Sequence, residues 1–241
     1  MQNEIIILIG GLIIGAVSSV FGGGMFLAIP LWQFIFPQIN YGKVIGNIKV
    51  GSFFRGLFGI LATRKEIHFK SMMPITIIFT LSSIVGSFFI ASLDQKYLFF
   101  AIVLAIILSE FSPKIAHLIN KKTQLSFSIL LGIYNGLSGA GIGILLPALL
   151  RTSHPHDHQI VHVKIQAQFI ETVGTFFAIL FHFYYGNILF PIWIIWSIGM
   201  SCGGYIGSHF LKKSLHFSGK TQRIYLWIIY LVALLPFLKY L

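Results

Sequence analysis

The sequence predicts an all-α polytopic integral membrane protein built from two homologous halves that cross the membrane in inverted orientation. Three observations indicate this fold: a strongly apolar composition, a repeat of glycine positions between the halves, and an uneven distribution of basic residues among the loops. Of the 241 residues, 56% are hydrophobic and 10% are charged, whereas a water-soluble domain carries roughly 25% charged residues. Long apolar runs separated by short polar loops therefore indicate membrane-spanning helices.

Eight apolar segments are predicted, each bounded by polar or charged residues. They fall at 5–36, 44–63, 71–91, 97–111, 125–150, 160–183, 188–211 and 223–241. A continuous helix over the 32 residues of the first segment would be about 48 Å long, and the hydrocarbon core is about 30 Å thick. The first segment therefore needs a break.

Glycine and proline indicate where that break lies. Residues 22–24 are three consecutive glycines and Pro30 follows them, which a straight helix disfavours. We expect one helix that ends near Phe21 and a short second helix over about 25–36. The chain would then go into the membrane and come back out as a re-entrant or discontinuous segment.

An internal repeat relates the two halves. A shift of 121 positions places Gly86-Ser87 on Gly207-Ser208, and five further pairs coincide. They are Gly11 with Gly132, Gly15 with Gly136, Gly22 with Gly143, Lys43 with Lys164, and Asn47 with Gln168. About one glycine match is expected by chance, so four indicate homologous halves, 1–121 and 122–241. The second half also opens with a broken segment, at Gly139-Ala140-Gly141-Ile142-Gly143 before Pro147.

The basic residues indicate how often the broken segments cross the membrane. If 5–36 and 125–150 each return to the side they entered, eleven Lys and Arg residues outside the membrane fall on one face and three on the other. Eight simple crossings would divide them seven to seven, and only the first division follows the positive-inside rule. The halves are then inverted and both termini are extracytoplasmic. Membrane anchoring also explains the net charge of +11 without a nucleic-acid partner.

The breaks are candidate anion sites. A break at membrane depth leaves the first N–H groups of the next half-helix without partners, and the helix dipole adds partial positive charge there. The alternative for small residues is close helix packing, which we assign to Gly11-x-x-x-Gly15 and Gly132-x-x-x-Gly136. The predicted substrate-binding residues are Ser18, Ser19, Gly22, Gly23, Gly24, Asn47, Lys49, Arg55, Asn135, Ser138, Gly139, Gly141, Gly143 and Gln168.

Three ionisable residues, Lys49, Arg55 and Glu171, lie inside predicted membrane segments, where an unpaired charge costs at least a few kcal/mol. Glu171 belongs to a polar stripe of helical spacing, which should face a cavity or a partner helix rather than lipid. The other residues of the stripe are Lys164, Gln168, Thr172 and Thr175. Two roles for Glu171 are open: an ion pair with Lys49 or Arg55, or proton coupling.

Two other chemistries are less well supported. The histidine-rich run 154–158 with His162 resembles a metal site, but the proline within it indicates a solvated loop and no Cys or Glu ligand completes it; we expect no metal and no cofactor. Gly136-Leu137-Ser138-Gly139 matches the pattern around the nucleophile of rhomboid intramembrane proteases, with His182 or His209 as a candidate base. The first half has the same design without that nucleophile, so we do not expect an enzyme.

The two broken segments also carry a family resemblance. Residues 11–30 form a glycine-rich segment that runs into Pro30, residues 132–147 repeat it up to Pro147, and Gly46-Asn47-Ile48-Lys49 forms a small and polar run. Over essentially the whole chain this pattern resembles the sulfite exporter TauE/SafE family of permeases. The resemblance implies transport of sulfur-containing anions, such as sulfite, thiosulfate or organosulfonates, usually as export.

We therefore expect a permease of the bacterial inner membrane that exports a small anion by proton-coupled alternating access. The alternatives are a carrier for another small anion such as a carboxylate, an uptake system, and the intramembrane serine hydrolase. The expected partners are the anionic substrate and the lipid bilayer, and a homo-oligomer is compatible with this interpretation.

Overall fold

The computed structural model describes residues 2–89, 95–112, 114–115, 119–120, 123–151, 160–213 and 219–235. Within these ranges the regular structure is entirely helical, as the sequence predicts. The described α-helices are α1 (Gln2–Phe21), α2 (Gly24–Ile35), α3 (Tyr41–Thr63), α4 (Phe69–Phe89), α5 (Gln95–Glu110), α6 (Gln124–Leu137), α7 (Ile142–Arg151), α8 (Ile160–Tyr184), α9 (Ile192–Lys212) and α10 (Gly219–Leu234). A short 3₁₀ helix, Arg64–Glu66, follows α3.

Both predicted breaks are present. The first helix ends at Phe21 and the next begins at Gly24, within one residue of the predicted positions. Gly22 and Gly23 have φ angles of 85° and 73°, and in the second break Gly139 and Gly141 have 72° and 80°. This left-handed conformation costs glycine little and other residues roughly 1–2 kcal/mol, so glycine fixes where each segment turns.

Each broken segment folds back on itself as a helical hairpin. A methyl group added at Gly10 would collide with the side chain of Leu31, so α2 lies alongside α1. In the second half, Nε2 of Gln124 donates to the carbonyl oxygen of Leu149 at 3.4 Å, which ties the start of α6 to the end of α7. The returning helices have 12 and 10 residues, about 18 and 15 Å, and are too short to cross a bilayer alone.

Small residues hold the first helix of each half against the fourth helix of the other. Two glycines of α1 face backbone of α9, and both glycines of α6 face backbone of α4. The closest pairs are Gly11 with Trp196, Gly15 with Met200, Gly132 with Phe79, and Gly136 with Ser83. These glycines therefore serve in close helix packing, the role that their four-residue spacing suggests.

The third helices of the two halves, α3 and α8, pack against each other in opposite directions. The residue numbers of contacting pairs rise along α3 as they fall along α8. The pairs are Phe53 with Phe176, Gly56 with Thr172, and Gly59 with Gln168. The polar stripe of α8 thus faces a partner helix. Equivalent helices of inverted repeats would run antiparallel in this way, although the orientation of the halves in a membrane stays a prediction.

The distribution of polar and apolar side chains is that of a membrane protein. On α4, Ser83 and Ser87 are buried, whereas Leu81 and Phe88 are 59% and 57% exposed. Among the described residues, three helical spans are long and apolar enough to cross a bilayer: α1, 41–66 and α4, with mean hydropathies of 2.3, 1.3 and 1.8. Large exposed apolar side chains around a core containing buried serines suit a surface that faces lipid.

Some sequence predictions fall outside the described residues. These are the boundary between the halves at residues 121 and 122, the ends of the chain at residue 1 and residues 236–241, and the histidine-rich run 154–158. The assignment of the halves and the position of the termini therefore stay predictions.

A single bulky residue between α1 and α9 tests this packing. A side chain at Gly203 would collide with the backbone of Leu12 and Ala16, so Gly203→Leu should lower the thermal unfolding midpoint of the detergent-purified protein. Overpacking of this kind costs about 1–3 kcal/mol. Cys202→Leu is the matched control, because Cys202 is exposed on the same helix. Equal midpoints for both variants would contradict the assigned interface.

Candidate functional site

The two breaks meet at the centre of the molecule. A methyl group at Gly22 would overlap the carbonyl oxygen of Gly143, and one at Gly143 would lie 3.0 Å from the Cα of Gly22. The hairpins of the two halves therefore touch backbone to backbone. We call this contact the junction, and the small cavity beside it the central cavity. The central cavity is lined by Ser18, Gly23, Gly24, Met25, Ala28, Ser52, Arg55, Gly139, Gly141, Gly143, Glu171 and Met200.

The central cavity is closed in this conformation. Its volume is about 10 Å³, which is space for about one water molecule. A larger ligand would need the surrounding helices to separate. The structure therefore brings the lining groups together without leaving room for an organic anion among them.

The N-terminus of α2 contributes backbone donors to the central cavity. Its N-cap is Gly23, which has no side chain to accept from the first N–H groups of the helix. Gly24 and Met25, the first helical residues, line the cavity. Uncapped N–H groups and the positive end of the helix dipole favour a negatively charged ligand at this position.

Arg55 and Glu171 form a buried ion pair beside the junction. Nη2 of Arg55 lies 2.8 Å from Oε1 of Glu171, and the side chains are only 7% and 15% exposed. Nη1 of Arg55 also donates to Oγ of Ser18 at 3.2 Å. The Nε–H of Arg55 has no acceptor among the described residues. Of the two roles considered for Glu171, the structure contains the ion pair, and proton coupling stays a prediction.

Two lysines make reciprocal contacts between the halves. Nζ of Lys49 on α3 donates to the carbonyl oxygen of Asn135, near the end of α6. Nζ of Lys164 on α8 donates to the carbonyl oxygen of Val20, near the end of α1, at 2.7 Å. Each lysine thus binds the helix that precedes the break of the other half, where free carbonyls and the helix dipole favour a cation. Lys49 is buried and does not line the central cavity.

Two amide side chains form a second reciprocal pair. Asn47 donates to the carbonyl oxygen of Asn187 at 3.2 Å and accepts from the N–H of Leu189 at 3.1 Å. Gln166 does the same in the other half: it donates to the carbonyl of residue 66 at 2.7 Å and accepts from the N–H of residue 68 at 3.1 Å.

These bonds correct the pairing of Asn47 with Gln168 that the repeat predicts. By its contacts, Gln166 is the counterpart of Asn47, so the register of the repeat shifts by two residues on α8. The bonded loop positions 66 and 68 keep the 121-residue spacing to 187 and 189. The two-residue difference therefore lies between the amide and the loop, where the helix of the second half, α8, has 25 residues and its counterpart α3 has 23. Asn47 holds a loop and lies away from the central cavity.

Four other predicted site residues do not line the central cavity and instead form hydrogen bonds within and between the helices around the junction. Ser19 donates to the carbonyl of Gly15 at 3.0 Å, and the amide of Asn135 donates to Ser83 at 2.8 Å. Oγ of Ser138 accepts from the N–H of Ala140 at 3.1 Å, and Gln168 exchanges hydrogen bonds with Ser208. Ser52, Met25, Ala28 and Met200 line the cavity without a sequence signal that singles them out.

The structure gives no support to hydrolase chemistry at Ser138. Its Oγ lies 3.5 Å from the hydroxyl of Tyr134 and bonds the Ala140 N–H. Both ring nitrogens of His182 lack a hydrogen-bond partner among the described residues, and His209 stacks on Tyr205. Neither histidine is therefore placed as its base. In the part of the chain that the structure describes, three or more metal-ligating side chains do not come together.

Comparison with known families agrees with this architecture. The family model described as Sulfite exporter TauE/SafE matches residues 7–235. The chain belongs to the TauE/SafE family. The predicted family is confirmed, and the chain is a membrane permease of the sulfite-exporter type. No curated protein and no solved structure matched the sequence.

Substitutions at two glycines distinguish the effect of the junction contact on stability from the effect of backbone strain. Gly22 and Gly186 both have positive φ angles, 85° and 64°, but a methyl group at Gly186 meets nothing within 4 Å. Gly186→Ala should cost roughly 1–2 kcal/mol from strain alone. Gly22→Ala should destabilise the detergent-purified protein further, because the methyl group also collides with Gly143. Equal losses in a thermal unfolding assay would mean that the junction is not tightly packed.

Proposed function

We propose that this TauE/SafE permease exports small sulfur-containing anions, such as sulfite, thiosulfate or organosulfonates, through the junction. The observation that carries the proposal is the contact between Gly22 and Gly143, which places an uncapped helix N-terminus beside a buried arginine. We place the protein in the bacterial inner membrane with both termini outside the cytoplasm, as the distribution of basic residues suggests.

The anion preference follows from the donors around the central cavity. The first N–H groups of α2 and the free Nε–H of Arg55 can donate to oxygen atoms. Glu171 is the only carboxylate among the lining residues, and it is already bound to Arg55. These donors suit an oxyanion, while the preference for sulfur comes from the family.

Alternating access is the mechanism that suits a closed site between two packed halves. The central cavity holds about one water molecule, so an anion enters only when helices around the junction separate. The groups that line the cavity come from both hairpins and from α3, α8 and α9. Movement of one half against the other would therefore open the site and rearrange its donors together.

Proton coupling follows from competition for Arg55. The guanidinium neutralises Glu171 in the closed state, and an arriving anion would compete for the same cation. A carboxylate left unpaired in this buried position is costly, and protonation removes that cost. Anion binding and proton uptake by Glu171 would then occur together, and release of both on the other side would restore the ion pair.

An anion panel in proteoliposomes tests the substrate class. Wild-type protein should carry sulfite, thiosulfate and sulfoacetate in preference to acetate and chloride. Lys49→Met should reduce the flux because it removes a buried cation and the bond that holds α6, and Arg55→Gln should abolish it. Lys212→Gln is the matched control, since Lys212 forms a 2.9 Å ion pair with Glu66 at the surface. Preference for acetate would indicate a carboxylate carrier. Inward flux under a physiological gradient would indicate an uptake system.

A second experiment distinguishes proton coupling by Glu171 from a purely structural role in the ion pair. Thiosulfate is used because this anion does not titrate near neutral pH. Its flux should depend on pH in wild type and in the control variant Glu66→Gln. This pH dependence should be lost in Glu171→Gln. Removing one partner of a buried pair costs about 3–5 kcal/mol, so Arg55→Gln and Glu171→Gln should each lower thermal stability, and the double variant should recover part of the loss. An unchanged pH profile in Glu171→Gln would limit Glu171 to the ion pair.

A further inference from the structure

A second, larger cavity lies beside the junction and differs from the central cavity in its charge. Its volume is about 200 Å³. We call it the basic vestibule. The lining residues that matter here are Glu110, Ser112, Gly143, Arg151, Lys164 and Arg223. They come from the end of α5 and the segment after it, from α7, from α8 and from α10.

The basic vestibule adjoins the proposed transport site. Gly143 lines both cavities, and Phe21, the last residue of α1, also lines the vestibule. The junction is therefore the wall between a closed cavity with space for one water molecule and a vestibule with space for a small anion. An anion in the vestibule would need to pass only this wall to reach Arg55.

The charges of the vestibule favour an anion. Among the described residues, the cavity is lined by Arg151, Lys164 and Arg223 and by one carboxylate, Glu110. No salt bridge within 4 Å neutralises Arg151 or Arg223 in the described ranges. Lys164 donates one hydrogen bond to the carbonyl of Val20, and an ammonium group has two further N–H donors. Three cations against one carboxylate leave a net positive charge in a partly enclosed space, which concentrates anions.

The other lysine that binds a helix before a break is buried. Lys49, which contacts α6 as Lys164 contacts α1, is only 1% exposed. Lys164 is partly exposed and lines the vestibule. Both lysines thus bind the helix that precedes a break, yet only Lys164 borders the basic vestibule.

The geometry points to the basic vestibule as an anion-capture site, on the path by which sulfonate- or sulfite-like oxyanions reach the junction from the face that carries Arg151 and Arg223. This inference rests on the proposed transport function. Arg151 and Arg223 bind and concentrate the anion, and Lys164 transfers it towards the break. Capture at this site would set the apparent affinity on one face of the membrane without setting the maximal rate.

Thiol labelling tests the site independently of transport. Ser112→Cys is introduced together with Cys202→Ser, which removes the native thiol. The reporter is labelled with an anionic sulfonatoethyl methanethiosulfonate and with its cationic trimethylammonium analogue, each normalised to its rate with a free thiol. The anionic reagent should react at least about tenfold faster. Arg151→Gln or Arg223→Gln should bring the ratio towards one, and sulfoacetate should slow the anionic reagent in the parent only.

The control is Arg64→Gln, which removes one cation outside the vestibule and should leave the ratio unchanged. Ala148→Cys, also a lining position, provides a second reporter should Ser112→Cys fold poorly. A ratio near one in the parent, equal effects of Arg64→Gln and Arg223→Gln, or no labelling by either reagent in folded protein would each overturn the inference.

Flux measurements then distinguish this inference from the transport proposal. Arg151→Gln and Arg223→Gln should raise the half-saturating thiosulfate concentration several-fold on one face of the proteoliposome, with the maximal rate and the opposite face unchanged. An equal fall in rate from both faces would contradict capture. Selective labelling with no flux of any sulfur anion in wild type would retain the anion site and overturn the transport proposal.

Discussion

The close approach of Gly22 and Gly143 is the contact on which the rest of the site depends. Because neither residue has a side chain, two hairpins from different halves meet backbone to backbone. This contact brings the uncapped N-terminus of α2 and the second break into one cavity. A charge there has almost no water around it, so Arg55 requires a partner, and Glu171 on α8 supplies it. The ion pair, the small cavity and the uncapped backbone donors therefore all depend on glycine at positions 22 and 143.

Polar contacts at and beyond the junction tie each half to the other. Lys49 and Lys164 bind carbonyl groups that a helix end leaves free, and Asn47 and Gln166 each bind two backbone groups of a loop in the opposite half. The amides satisfy a donor and an acceptor together, which favours a fixed loop. The lysines each make a single bond to a carbonyl at a helix end, where water or an anion can replace either partner. Under the proposed mechanism, the lysine contacts are thus better suited than the amide contacts to change during transport.

Local features were predictable from the sequence, and long-range partners were not. The breaks could be placed because three consecutive glycines interrupt a segment too long for one crossing, and the stripe around Glu171 because its spacing is helical. The hydrogen-bond partner of Lys49 could not be predicted, since Asn135 lies 86 residues away in the sequence. By its contacts Gln166, and not Gln168, is the counterpart of Asn47, because an ungapped repeat does not account for the two additional residues of α8. The sequence identified Arg151 only as a loop charge, since its cavity forms from five separate segments of the chain.

The unequal surroundings of the two lysines bear on how the halves move. In an inverted repeat, the two sides of the site become equivalent only if the halves exchange conformations, so a single conformation shows one side more open than the other. Lys164 borders the basic vestibule while Lys49 is buried, which under the proposed mechanism corresponds to access from the face of Arg151. Under that mechanism, opening the other side would expose Lys49 and release Asn135. A cation that is buried in one state and hydrated in the other would then attract the anion towards whichever side is open.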